Sequence, residues 1–162
     1  GIRVLRFEFP YMARRRGDGK RRPPDRQPVL LEHWRSIFAS VQSERIAIGG
    51  KSMGGRMASL IADEVGAAAL FCLGYPFHPP GKPERLRTEH LETIATPTLI
   101  LQGERDPFGT RDEVAGYSLS KAITPHWMPD GNHDLAPRKK SGRTLDENLA
   151  EAIDRITGFL AN

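Results

Sequence analysis

RIAIGGKSMGGRMASL, residues 45–60, decides how this chain is read. RIAI is a short apolar run rich in β-branched residues, and RMASL begins a segment with the composition of a helix. Between them one serine, Ser52, stands among glycines. Gly50-Lys51-Ser52-Met53-Gly54 fits G-x-S-x-G, in which a serine on a tight strand-to-helix turn lifts its hydroxyl clear of the backbone. Residues two places either side of such a serine crowd one another, so Gly50 and Gly54 answer a steric demand. A phosphate-binding loop and a plain structural turn are the other readings. The chain lacks the first glycine of the G-x-x-x-x-G-K-[ST] register, which weakens the phosphate reading.

Outward from this turn the pattern alternates. IRVLRFEF (2–9) reads as a strand stopped by Pro10, and residues 11–28 as a long, mobile loop rich in Arg, Gly and Pro. Apolar residues at 30, 34, 37, 38 and 41 give one helical face over 29–42. Residues 45–50 form a strand, 55–66 a helix closed by Gly66, and 68–76 a further strand. Prolines force a loop at 77–82, and Pro83 opens a short helix over 83–94. A strand at 96–103, a helix at 111–119 and a strand at 123–129 follow. The last helix, 144–162, carries a capping box at Thr144 and Glu147. Leu145, Leu149, Ile153, Ile156 and Leu160 lie on one of its faces. The central strands are continuously apolar, as in a parallel sheet covered on both sides. The expected architecture is a three-layer α/β/α sandwich forming a single domain over 1–162, with a basic loop at 12–28.

The 162 residues carry a net charge of +4. Seven Lys or Arg against two Asp between Met12 and Pro28 account for all of that excess. An anionic partner would therefore meet one short arm. No aromatic residues interleave the basic ones there, which argues against nucleic acid and leaves a solvated loop, substrate steering or a protein contact. No apolar run has the length of a membrane span. The single cysteine, Cys72, reads as a buried thiol, and cytoplasmic residence is the expectation. No His, Asp or Glu spacing suggests a metal site, and no cofactor is expected.

In a parallel sheet the chemistry collects at the carboxyl ends of the strands. Two further strand-end loops carry candidates: Gln102-Gly103-Glu104-Arg105-Asp106-Pro107 and Asp130-Gly131-Asn132-His133-Asp134. Ser, then acid, then His is the chain order of a hydrolytic triad on such a sheet. Ser52 would be the nucleophile and His133 the base. Asp106 would hold the imidazole, with Glu104 and Asp134 as the alternative acids. Met53, following the serine, would give an oxyanion N–H. Tyr75, Phe77 and His78 leave the strand after the serine helix and read either as substrate-pocket lining or as a proline-stiffened cover. Lys51 reads either as a substrate carboxylate ligand beside Ser52 or as a solvated lysine.

RVLRFEFPYM, GGKSMGGRMAS, GYPFHPPGKPERLRTEHL, LQGERDPFG and DGNHDL together resemble the hydrolase-like family of testis-expressed and NSL-chromatin-complex subunit proteins, related to the dienelactone hydrolases. The resemblance covers nearly the whole chain. It implies an α/β-hydrolase fold and a serine hydrolase acting on a small carboxylic ester or lactone. Some relatives are subunits of complexes, so a catalytically weak scaffold or interaction module is the alternative. Family members open with a strand and a His-Gly-Ala-Gly-type loop that supplies a second oxyanion donor. No equivalent precedes Gly1, so the expectation is an N-terminally truncated hydrolase lacking about 40–50 residues. A lost donor costs roughly 3–4 kcal/mol of transition-state stabilisation. The edge of strand 45–50 would then be filled either by strand 2–9 or by a second copy of the chain, the former being preferred.

Overall fold

A computed structural model describes residues 1–161. The chain divides into two compact units, Gly1–Gln42 and Ser43–Asn162. The first is helical. Residues 2–9 form no strand, and the basic segment is not a loop throughout: helix α1 spans Pro10–Asp18. Pro10 sits in its first turn, where a missing N–H costs nothing. Gly19, at φ 68°, closes it by donating its N–H to the Arg15 carbonyl. Ala13 and the arginines between are good helix formers. Helix α2, Gln27–Ser40, follows, again with a proline in its first turn. The expected strand residues Phe7 and Phe9 pack instead as an aromatic cluster, with Phe7 edge-on to Trp34 at 4.6 Å. Glu8 lends its carbonyl to His33 Nε2 at 3.1 Å. Residues 2–9 therefore add no strand to the sheet, contrary to the preferred expectation.

The second unit holds a four-stranded parallel sheet in the order β1-β2-β3-β4. The strands are β1 (Ala47–Lys51), β2 (Ala69–Leu73), β3 (Thr98–Gly103) and β4 (Ile123–Met128). Among the described residues β1 pairs with β2 alone. Helix α3 (Met53–Ser59) packs on β1 and β2. It is shorter than its sequence suggests, because turns take over before Gly66 at φ 66°. The expected helix at 83–94 reduces to a 3₁₀ turn at Glu89–Glu92, and α4 is the single turn Arg111–Val114.

The long helix α5 (Leu145–Ala161) packs on β3. Its capping box forms as expected, with Thr144 N–H to Glu147 Oε2 at 2.7 Å and Glu147 N–H back to Thr144 Oγ1 at 3.2 Å. The buried face is only in part the expected one, keeping Ile156 but not Leu145, Leu149 or Ile153. Asn148 and Ala152 point inward, and Ile156 and Phe159 pack on the core. Leu145, Leu149 and Ile153 stay exposed. Asn148 wins the inward position because its amide satisfies the Leu135 and Pro129 carbonyls, which buried backbone requires.

Neighbouring strand residues face opposite sides of a sheet. Cys72 meets α3 at Gly55, whereas Phe71 and Leu73 join Leu99, Leu101, Met128 and Ala152 under α5. The helices therefore cover both faces, and the unit is a three-layer sandwich around an almost wholly buried β3.

On the α3 side lies a polar cluster of buried Ser59 and Tyr75 with part-buried His90. His90 Nε2 is 2.8 Å from Ser59 Oγ and 3.3 Å from the Tyr75 hydroxyl. Burial, aided by the Arg56 charge, pushes the His90 imidazole down to about 4. The unfolded chain takes up this proton near its ordinary value of 6.5 and the folded chain resists it. Stability therefore falls as pH drops from about 6.5 towards 4. Urea midpoints of the wild type should decline across that window, and the decline should be visibly shallower in His90→Gln.

Candidate active site

Ser52 sits between β1 and α3 at φ 51° and ψ −120°, a conformation that costs a side-chain-bearing residue on the order of 1–3 kcal/mol. Its N–H is tied to the Leu73 carbonyl at the end of β2, at 2.8 Å. The tightness has a measurable source. A Cβ on Gly50 would lie 2.9 Å from the Gly54 carbonyl carbon and the Gly55 nitrogen. A Cβ on Gly55 would lie 2.5 Å from the Gly50 oxygen. Gly54 faces open space, so the steric demand expected of it falls on Gly55 instead.

The three strand-end loops converge. His133 Nε2 is 2.8 Å from Ser52 Oγ, and His133 Nδ1 is 2.8 Å from Asp106 Oδ2. A carboxylate only accepts, so Nδ1 carries the proton and Nε2 is left to accept from the serine hydroxyl. Asp106 has no exposed surface. Its Oδ1 accepts the Phe108 N–H at 2.9 Å, and its Oδ2 also accepts Gln102 Nε2 at 2.9 Å. The alternative acids are engaged elsewhere. Glu104 accepts the Asp130 N–H and pairs with Arg111, and Asp134 pairs with Lys51. Lys51 holds the Asp134 carboxyl below its usual range.

The other sequence candidates fare differently. Met53, the first residue of α3, has an N–H with no acceptor inside the helix. Lys51 is engaged by Asp134 rather than solvated alone. Tyr75, Phe77 and His78 are all buried, at no more than 2% exposure, so they form the stiff cover and not an open pocket lining. Burial pushes the Tyr75 phenol up. His78 Nδ1 bonds the Pro79 carbonyl, and Nε2 faces Glu113 at 3.5 Å.

Sequence reasoning missed Gln102, a buried amide that also accepts the Tyr75 N–H at 2.7 Å and so ties the acid loop to the end of β2. A polar residue closing the apolar run LIL was the available signal. It also missed Phe108, whose ring lies 4.2 Å from the His133 imidazole. Gly74 and Gly103 were missed as well. Their absent side chains let the His133 loop approach, since a Cβ at 103 would lie 2.3 Å from the Asn132 oxygen.

A second serine–histidine contact, Ser59 with His90, is built for a different job. Ser59 donates its hydroxyl to the Arg56 carbonyl at 2.7 Å, so toward His90 it is left to accept. His90 therefore carries its proton on Nε2 and cannot act as a base toward that serine.

The family model described as an alpha/beta hydrolase domain matches residues 1–161. The chain belongs to the α/β hydrolase domain family. Several solved structures share its fold. A serine hydrolase homologue from Coxiella burnetii is 20% identical, with a TM-score of 0.57 over 68% of this chain and 53% of that one. A serine hydrolase without a lid from Xanthomonas campestris is 19% identical, with a TM-score of 0.57 over 79% and 56%. A predicted CIB-like hydrolase from Thermoplasma acidophilum is 16% identical, with a TM-score of 0.58 over 81% and 59%. This chain thus spans little more than half the length of these structural relatives. No curated protein sequence matches it.

The glycine contacts give a direct test. Gly50→Ala and Gly55→Ala should each destabilise the protein by roughly 1–3 kcal/mol, the usual cost of overpacking, while Gly54→Ala should be near neutral. Thermal unfolding midpoints of the three variants read this order.

Proposed function

We propose that this protein is a serine hydrolase that cleaves small carboxylic esters or lactones through Ser52, His133 and Asp106. The observation that carries the reading is the continuous hydrogen-bonded chain from the Ser52 hydroxyl through His133 to a buried carboxylate. Ser52 Oγ attacks the carbonyl carbon while its proton passes to His133 Nε2. The imidazolium formed faces the Asp106 carboxylate, which stabilises it without taking the proton. The C–O bond to the alcohol oxygen then breaks as that oxygen takes the proton from Nε2; an ester's alcohol departs, and a lactone's hydroxyl stays on the acyl group. Water attacks the acyl-serine by the same route, releasing the carboxylic acid and restoring the hydroxyl. The Met53 N–H is the proposed donor to the developing oxyanion. The sequence resemblance to the testis-expressed and NSL-subunit family, and through it to dienelactone hydrolases, supports this substrate class.

A second reading is a catalytically weak scaffold that keeps the fold. It is favoured by the resemblance to relatives that are subunits of complexes, and by β1 pairing with β2 alone among the described residues. A fluorophosphonate probe separates the two. Ser52 should displace fluoride from phosphorus, giving a stable phosphonyl-serine. Labelling should vanish in Ser52→Ala and in His133→Ala. Hydrolysis of p-nitrophenyl acetate should drop roughly a thousandfold or more in the serine variant. A wild type that takes no label favours the scaffold, and labelling that survives in His133→Ala misassigns the base.

A further inference from the structure

We propose that Phe108 is a positioning residue for His133, holding the imidazole by its ring face in the orientation that joins Ser52 to Asp106. The proposal rests on the triad reading above. The two rings lie 4.2 Å apart, centroid to centroid, inclined by 31°. The arrangement is tilted, and it leaves the imidazole edge free for its two hydrogen bonds. Phe108 is also fixed at its main chain. Its N–H donates to Asp106 Oδ1, so one residue grips the acid through its backbone and the base through its side chain. Pro107 stiffens the link between them. The adjoining Gly109 is pinned in turn, with its carbonyl on Gln102 Nε2 and its Cα against the Phe77 ring. The Phe108 ring thus has a rigid base.

The chemistry gives the ring a task beyond filling space. In acylation the imidazole becomes a cation, and an aromatic face within about 6 Å of a cation attracts it. Phe108 therefore favours the protonated imidazole that forms as the serine bond is made. An aliphatic side chain of similar bulk fills the same space without this attraction. The Phe108 side chain is only part-buried, which limits the effect of its replacement on the fold.

The test compares Phe108→Leu with Phe108→Tyr, both of which keep the main-chain donor to Asp106. The rate of fluorophosphonate labelling and kcat for p-nitrophenyl acetate should fall roughly three- to thirty-fold in Phe108→Leu, with KM little changed. Phe108→Tyr should recover most of the loss, and unfolding midpoints should show both variants folded. A Leu variant as fast as the wild type overturns the proposal, as do Leu and Tyr variants that are equally slow. The His133 Nδ1–H proton resonance gives a readout independent of turnover. It should be sharp in the wild type and the Tyr variant, and broadened by exchange in the Leu variant. Should the wild type take no label, the hydrolase reading fails by itself, and the resonance still decides whether the ring holds the imidazole. An unchanged resonance in Phe108→Leu counts against that role.

Discussion

A carboxylate with no exposed surface must find its hydrogen bonds inside the protein, and the second unit is arranged around that requirement at Asp106. Three donors reach it: the Phe108 N–H, the Gln102 amide and the His133 Nδ1–H. Each comes from a different local device. Phe108 is delivered by the turn that Pro107 stiffens, Gln102 by the last stretch of β3, and His133 by the loop after β4. Removing any donor would leave a buried charge short of a partner, a far larger penalty than the net gain of an ordinary hydrogen bond. The demand of the buried acid therefore fixes where the histidine sits, and the histidine in turn fixes what the serine hydroxyl can do.

Bringing these loops together is a problem of backbone crowding. A parallel sheet places its strand ends along one rim, and here the first three strands meet the rim with a glycine at or beside the last residue. Gly50 makes room for the start of α3, Gly74 for the His133 carbonyl, and Gly103 for the carbonyls of Gly131 and Asn132. The side-chain-bearing residues at positive φ, namely Ser52, Asp130 and Leu135, cluster at the same rim. The strain has to be held by surrounding contacts. Arg138 and Arg105 clamp Asp130, Asn132 Oδ1 accepts two N–H groups of its own loop, and Asn148 of α5 holds the Leu135 carbonyl. Helix α5 exposes three large apolar residues and buries an asparagine, and this clamp is the reason.

Sequence carried the parallel sheet and the chain order of Ser52, Asp106 and His133, because both rest on local signals. Apolar β-branched runs mark the strands, and glycines or prolines mark the loops that follow. It missed what depends on contacts between distant segments. Residues 2–9 have every strand signal yet form no strand, since a strand also needs a neighbour to bond with. Residues 11–28 read as a loop from their arginines, glycines and prolines, yet Pro10 and Gly19 are well placed to open and close a helix over 10–18. Gln102 reads as an ordinary polar strand end, and its value appears only when Asp106, Gly109 and Tyr75 fold back onto it. Tyr75, Phe77 and His78 read equally well as pocket or cover, and only burial separates the two.

Magnitudes decide which contact aligns Ser52 with His133. Two bonds join the β1 turn to the His133 loop: Ser52 with His133, and Lys51 with Asp134. The second is a salt bridge between groups that are half or more exposed, and such pairs contribute at most about 1 kcal/mol and weaken in salt. The first is a neutral hydrogen bond, worth about as much in net terms. Neither can impose the geometry on a loop 81 residues away in the chain. The buried contacts can. Asp106, Gln102 and Asn148 all lie at zero exposure, and the charge or amide of each would be stranded if the loops drifted apart. Alignment of Ser52 and His133 is thus a consequence of satisfied polar groups beneath the site, and the visible bonds at its surface report that alignment more than they cause it.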